Sequence, residues 1–307
     1  MYKGFGKIIL FGEHFVVHGL PGIVVGLPLY TTASVEHYPV NEDTIIDARP
    51  YQVVPQVHKA IKYKNMLRAI AESFGLDKPI AIKLAGTLPV CSGGVGSSAA
   101  AAVAITRALA AFCNQSLTQA RLETIALHGE HAVHGKSSGI DIVAAIQGRL
   151  LSFCNDGNQI ITKPLICKKP LYGIVADTLE AADTAQVVEI IAAIKKEQPD
   201  FFALMCIQYR ALYDRAVEAL ESGDSNILKE CIEDNQRLLI NLGVSHSSIE
   251  VLRKRLYALG YFGAKQTGTG LGGVVFGLKE YNDDVDSTDC FNFFKFNLLA
   301  DSLDKIY

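Results

Sequence analysis

The sequence predicts an α+β fold in two domains, on three observations. Short β-branched apolar stretches at 8–11 and 22–27 read as strands near the start of the chain. Runs of helix follow at 98–148 and again at 184–259, and a strand-like stretch around Val274-Val275-Phe276 returns near the end. Strands and helices thus come in runs and lack the regular alternation of a βαβ series. The chain has 307 residues, enough for one large domain or two smaller ones with a sizeable core.

Each element has a local reason. The buried strand 8–11 delivers the tripeptide Gly12-Glu13-His14 to a turn, and the turn-like Gly19-Leu20-Pro21-Gly22 precedes the second strand. Residues 51–64 are polar and irregular and lead into a helix at 65–74, with Gly75 suited to end it. Residues 80–84 alternate as a strand does. The segment 98–112 is rich in alanine and free of Gly and Pro, the strongest helix signal in the chain. A second helix spans 117–134, and Ser137-Ser138-Gly139-Ile140-Asp141 forms an N-cap turn into a short helix ending near Gly148. Residues 150–153 and 159–162 suggest a hairpin around Asn155-Asp156-Gly157-Asn158. A strand at 171–176 precedes helices at 184–195, 201–221, 226–242 and 247–259. The pattern changes near Lys168-Lys169-Pro170, which divides the chain into domains 1–168 and 169–307 without a visible linker. The alternating phenylalanines of 291–296 mark a core strand or helix.

Composition narrows the function classes. A 49% hydrophobic and 20% charged chain is ordinary for a globular protein, and a formal net charge of −3 provides no basic field for a nucleic-acid backbone. The seven cysteines are scattered, odd in number and without a C-x-x-C, which points to a reducing compartment. The first residues lack the apolar core of a signal peptide, and no apolar run approaches the ~18 residues a membrane span needs. The cytoplasm, with neither membrane nor nucleic acid as partner, is therefore expected.

The chemistry-bearing motifs come in a fixed order. Ser92-Gly93-Gly94-Val95-Gly96-Ser97-Ser98 precedes the alanine-rich helix. Glycines let backbone N–H groups converge, and a helix start adds unpaired donors and a positive dipole end, so the segment suits phosphates. Ser97 and Ser98 can donate hydroxyls to phosphate, or one can ligate Mg²⁺. The spacing differs from the G-x-x-x-x-G-K-[ST] phosphate loop. Glu130 and Asp141 follow, one carboxylate for a cation and one to accept or orient a hydroxyl proton. Lys7 begins an apolar strand, where its ammonium could lower the pKa of Asp141 and stabilise phosphate charge. Gly268-Thr269-Gly270-Leu271-Gly272-Gly273 lies between two strand-like stretches and permits close backbone approach to a ligand. His128, His131 and His134 recur along one helix without the H-E-x-x-H order of a zinc hydrolase. Together these motifs predict transfer of the γ-phosphate of ATP to the hydroxyl of a small molecule.

In that order, Lys7, Gly12-Glu13-His14, Ser92 to Ser98, Glu130, Asp141 and the glycine turn resemble the GHMP kinases. The mevalonate kinases among them share most, through Gly12 to Gly19, His134 to Asp141, and Asn235-Gln236 with Leu242-Gly243-Val244-Ser245-His246. The resemblance runs from about Gly4 to Gly277. It implies a two-domain fold with the active site in the interdomain cleft and phosphorylation of the 5-hydroxyl of mevalonate for isoprenoid precursor synthesis. It also implies ATP phosphates on Ser92, Gly93, Gly94, Val95, Gly96, Ser97 and Ser98, with Mg²⁺ on Ser98 and Glu130. Asp141 would act on the hydroxyl proton with Lys7 beside it. Glu13, His14, Thr184 and Gly268 would meet the acceptor. A homodimer is common in the family. The stretch 177–188 lacks the basic residues common there, so phosphomevalonate, homoserine or sugar acceptors stay open, as does a non-catalytic binding protein on the same fold.

Overall fold

The computed structural model describes residues 2–50, 57–135, 137–155, 157, 159–181, 184–281 and 293–298. Several expectations fall outside them: the segment 51–56, Lys136, two residues of the expected hairpin turn (Asp156 and Asn158), Ala182 and Asp183, and Phe291 and Asn292. Two compact units emerge, one of Met1–Lys7, Gly26–Val90 and Gly96–Gly148, the other of Ile8–Val25, Cys91–Val95 and Arg149–Tyr307. Both units are discontinuous in the chain, whereas the sequence reading divides it once, near 168. Strands β1 (Lys3–Phe11) and β2 (Gly22–His37) each run from one unit into the other, so no single cut can separate them.

In the first unit the later half of β2 pairs antiparallel with β4 (Ala81–Gly86), and β3 (Thr44–Asp47) pairs parallel with β4. Helices α1 (Val57–Glu72), α2 (Ser97–Phe112), α3 (Gln119–His134) and α4 (Ile140–Gln147) complete it. Its core joins Met66, Leu67 and Ile70 of α1 to Ile82 and Leu84 of β4 and to the alanine face of α2. Alanine lets a helix backbone approach closely: Gly4 of β1 runs so near α2 that a Cβ there would stand 2.1 Å from the Ala100 oxygen. Helix α1 starts well before the expected 65; among its residues with described burial the first buried one is Met66, and the exposed Ile61 breaks the apolar period. Thr118 caps α3 by accepting the Arg121 N–H.

In the second unit Gly22–Val25 of β2 pair with β5 (Leu150–Asn155), which pairs in turn with β6 (Ile160–Pro164). A second sheet runs β10–β7–β9–β8, from β7 (Leu171–Asp177), β8 (Phe262–Thr267), β9 (Val274–Lys279) and β10 (Phe293–Leu298). Helices α5 (Thr184–Glu197), α6 (Pro199–Ser222), α7 (Ser225–Asn241) and α8 (Ser247–Ala258) belong here too. The phenylalanine-rich segment is a strand, with Phe296 buried against Gly173 of β7. No helix among the described residues is long and apolar enough to cross a membrane.

Candidate active site

Four of the expected site residues meet within the first unit. Lys7, almost fully buried, lies at the end of that unit's part of β1, and its Nζ is 3.0 Å from Asp141 Oδ1. Gly96, the N-cap of α2 at φ 71°, makes room for it: a Cβ there would stand 2.8 Å from Lys7 Cγ. Asp141 occupies the first turn of α4, where a helix start favours an acid. Gly139 caps this helix rather than a serine, while Ser137 and Ser138 Oγ accept from the Gly139 and Ile140 N–H groups. Asp141 Oδ1 is buried beside the Lys7 ammonium and accepts no further hydrogen bond among the described residues.

Ser98, in the first turn of α2, donates its hydroxyl to Glu130 Oε1 on α3. Glu130 is buried, and burial pushes its carboxyl up to about 7; the charge of Asp141 adds to the rise, while Ser98 and Lys7 oppose it. Of the three helix-face histidines, His134 has Nε2 3.9 Å from Glu130 Oε2, and burial lowers its pKa. Ser97 turns away, its hydroxyl donating to the Pro89 carbonyl at 3.0 Å. Its own carbonyl accepts from the buried Arg49, which Asp47 holds from two sides. Nothing in the sequence singles out Arg49.

The second unit holds the other half of the expected set. Gly12 and His14 turn the chain at φ 131° and 65°. Phe15 stacks on Tyr209 of α6 at 4.1 Å, and the Tyr209 hydroxyl donates to the Pro21 carbonyl. Glu13 is buried and paired with the buried Lys265 of β8. His14 Nε2 lies 2.9 Å from the Thr269 carbonyl, and burial, with Lys265 nearby, lowers its pKa to about 4, so the ring is neutral and Nε2 donates. Lys265 precedes the glycine turn in the sequence, and nothing local marks it as the partner of Glu13.

Gly93 and Gly94 lie backbone to backbone against the glycine turn. A Cβ on Gly94 would stand 2.5 Å from the Thr267 oxygen, and one on Gly268 2.9 Å from Gly94 Cα. Val95 is buried and contributes only its backbone to the loop. Gln236 of α7 ties this turn down, exchanging hydrogen bonds with Gln266 and donating to Ser245. Gln266 donates to the Val244 carbonyl, which also receives the Leu271 N–H. The Asn-Gln…Gly-Val-Ser-His segment is thus a brace for the turn. Thr184 opens α5, half-buried, and bonds to no other expected site residue among those described.

Comparison with known proteins finds relatives over most of the chain. Residues 60–149 match the GHMP kinases N terminal domain, and 216–288 the GHMP kinases C terminal family. The mevalonate kinase of Aeropyrum pernix is 32% identical over 89% of this chain and 86% of its own length. That of Archaeoglobus fulgidus is 30% identical over 89% and 90%. The crystal structure of L. major mevalonate kinase in complex with R-mevalonate superposes with a TM-score of 0.85, at 28% identity, over 97% of this chain and 95% of that one.

Proposed function

The chain belongs to the mevalonate kinases, a branch of the GHMP kinases, and from that premise we infer that it transfers the γ-phosphoryl group of ATP to the 5-hydroxyl of mevalonate. The product is 5-phosphomevalonate, an isoprenoid precursor.

The observation that carries the catalytic reading is the buried Asp141 Oδ1 beside Lys7. The ammonium sits against one carboxylate oxygen, and the Asp141 side chain, still 32% exposed, can accept a hydroxyl proton. Asp141 takes or orients the proton of the attacking hydroxyl, and Lys7 offsets the negative charge gathering on the transferred group. The loop N–H groups and the start of α2 hold the nucleotide phosphates. His14 faces the acceptor as a neutral ring whose Nε2 is committed to Thr269, leaving Nδ1 to accept a hydroxyl proton. Gly268 and Thr184 are the further acceptor contacts in this reading.

The donor set fits Mg²⁺. Ser98 hydroxyl and Glu130 carboxylate are hard oxygen ligands already in contact, and Mg²⁺ takes one or two carboxylates and completes its shell with phosphate oxygens and water. When bound, the cation neutralises phosphate charge. The scattered cysteines suit a reducing compartment such as the cytoplasm.

A different acceptor is the second reading. The stretch 177–188 has no basic residue, and Glu180 within it pairs with His246 at 3.0 Å. ADP release with mevalonate, phosphomevalonate, homoserine and galactose in parallel separates the two. Turnover with mevalonate above the others is expected; turnover with another acceptor and none with mevalonate rejects the acceptor.

A further inference from the structure

We propose that Asp177 is a positioning residue for the phosphate loop, and that Ser92 anchors the loop to it instead of binding phosphate. The proposal rests on the reading of Ser92 to Ser98 as the nucleotide phosphate site. Asp177 ends β7 and is buried. Its Oδ2 accepts the Ser92 N–H at 3.0 Å, and its Oδ1 accepts the Ser92 hydroxyl and, at 2.9 Å, the Leu179 N–H. Both donors of Ser92 are therefore spent, and neither is left for a phosphate. No lysine, arginine or histidine pairs with Asp177 among the described residues, so its charge is met by these donors alone.

The latch sits in a tightly braced corner. Leu179 is held at φ 63°, a left-handed conformation that costs a branched residue energy and that the Asp177 turn stabilises. Thr178 donates its N–H and its hydroxyl to the Gly273 carbonyl, at 2.9 and 2.7 Å, and Gly273 N–H returns to the Glu180 carbonyl. Gly94 presses on the same glycine turn without room for a side chain, and Gly93 lies in ordinary contact with Gly273. The carboxylate thus fixes where the loop leaves Cys91, and the glycines fix where it goes next. A loop held in place before nucleotide arrives forfeits less ordering entropy on binding. This also assigns a use to the first residue of the stretch that lacks basic side chains.

Asp177→Asn tests it. The amide places an N–H₂ against one of the donors of Ser92, a donor–donor contact that opens the latch while keeping the volume. The dissociation constant for Mg-ATP, by titration calorimetry, is expected to rise about tenfold, the scale of one charged hydrogen bond. The KM for ATP should rise in parallel, while kcat at saturating ATP and the KM for the acceptor stay within about twofold. Ser92→Ala should weaken nucleotide about threefold by itself and have no further effect in an Asp177→Ala background. Multiplicative losses would make Ser92 a direct phosphate ligand and overturn the proposal, as would unchanged nucleotide affinity in a folded Asp177→Asn protein. If that variant does not fold, the cycle between Ser92→Ala and Asp177→Ser decides by the same criterion. Wild-type protein that bound no Mg-ATP would overturn both this and the phosphate-loop reading. Wild-type binding with no turnover of mevalonate removes only the acceptor assignment, and the calorimetric comparison still decides the latch.

Discussion

Lys7 Nζ stands 3.0 Å from Asp141 Oδ1, an oxygen that is buried and accepts no further hydrogen bond among the described residues. A positioned carboxylate that handles a proton in the transition state contributes about 10²–10⁴-fold. Asp141→Asn should therefore lose kcat on that scale and still bind Mg-ATP, since the phosphate loop is untouched. Steady-state kinetics and a nucleotide titration check it; unchanged kcat would remove Asp141 from the chemistry.

Glu130 predicts an opposed pair of stability effects. Burial raises its pKa from 4.5 to about 7, so the folded protein favours the protonated form. That contribution is complete below the unfolded pKa and is lost as pH rises through about 7, at most about 3 kcal/mol. Glu130→Gln cannot ionise. Without metal it should melt higher than wild type at pH 8, and the two should converge toward pH 4. Mg-ATP should raise the wild-type melting temperature at pH 8 and the variant's far less. A glutamine variant that melts lower at pH 8 without ligand would contradict the assignment.

His14 should not titrate near neutrality. Its pKa falls to about 4, chiefly by burial, whereas the unfolded chain protonates near 6.5. The unfolded state thus binds more protons between those values, and stability drops as pH falls from about 6.5 toward 4. NMR of the ring should show one neutral form from pH 8 down to about 5.5, with the proton on Nε2. A midpoint above 6 would show that the ring is solvated.

Gly94→Ala probes the loop against the glycine turn. The added methyl would stand 2.5 Å from the Thr267 carbonyl, at a φ of 89° that L-residues resist. A cost of about 1–3 kcal/mol in stability, with weakened nucleotide binding, is expected from thermal melts and titration. Full affinity would mean that the two glycine segments need not touch.

The legible parts of the molecule were those with local causes. Alanine density marks α2 to within one residue, and Ser98, Glu130, Lys7 and Asp141, singled out by type and order, form the close pairs Lys7–Asp141 and Ser98–Glu130. Strand β2 reads as ending at Leu27 because Pro28 and the polar residues after it mask a strand that continues to His37. Strand β3 has only four residues and gains its identity by pairing with β4. The parts that escaped depend on partners far along the chain. Glu13 reads as an acid near the acceptor, yet it is buried, because Lys265, 252 residues away, meets it. Asp177 looks like the polar end of an apolar strand until Ser92, 85 residues earlier, closes on it.

The most direct test is the site of phosphorylation. Mevalonate, Mg²⁺ and ATP are incubated with the protein, and the product is read by proton-coupled ³¹P NMR. Phosphate on the primary 5-hydroxyl gives a triplet, split by the two hydrogens of that carbon, and this is the predicted result, lost in Asp141→Asn. A singlet from the tertiary 3-hydroxyl, or ADP formed with no phosphorylated mevalonate, would contradict the account.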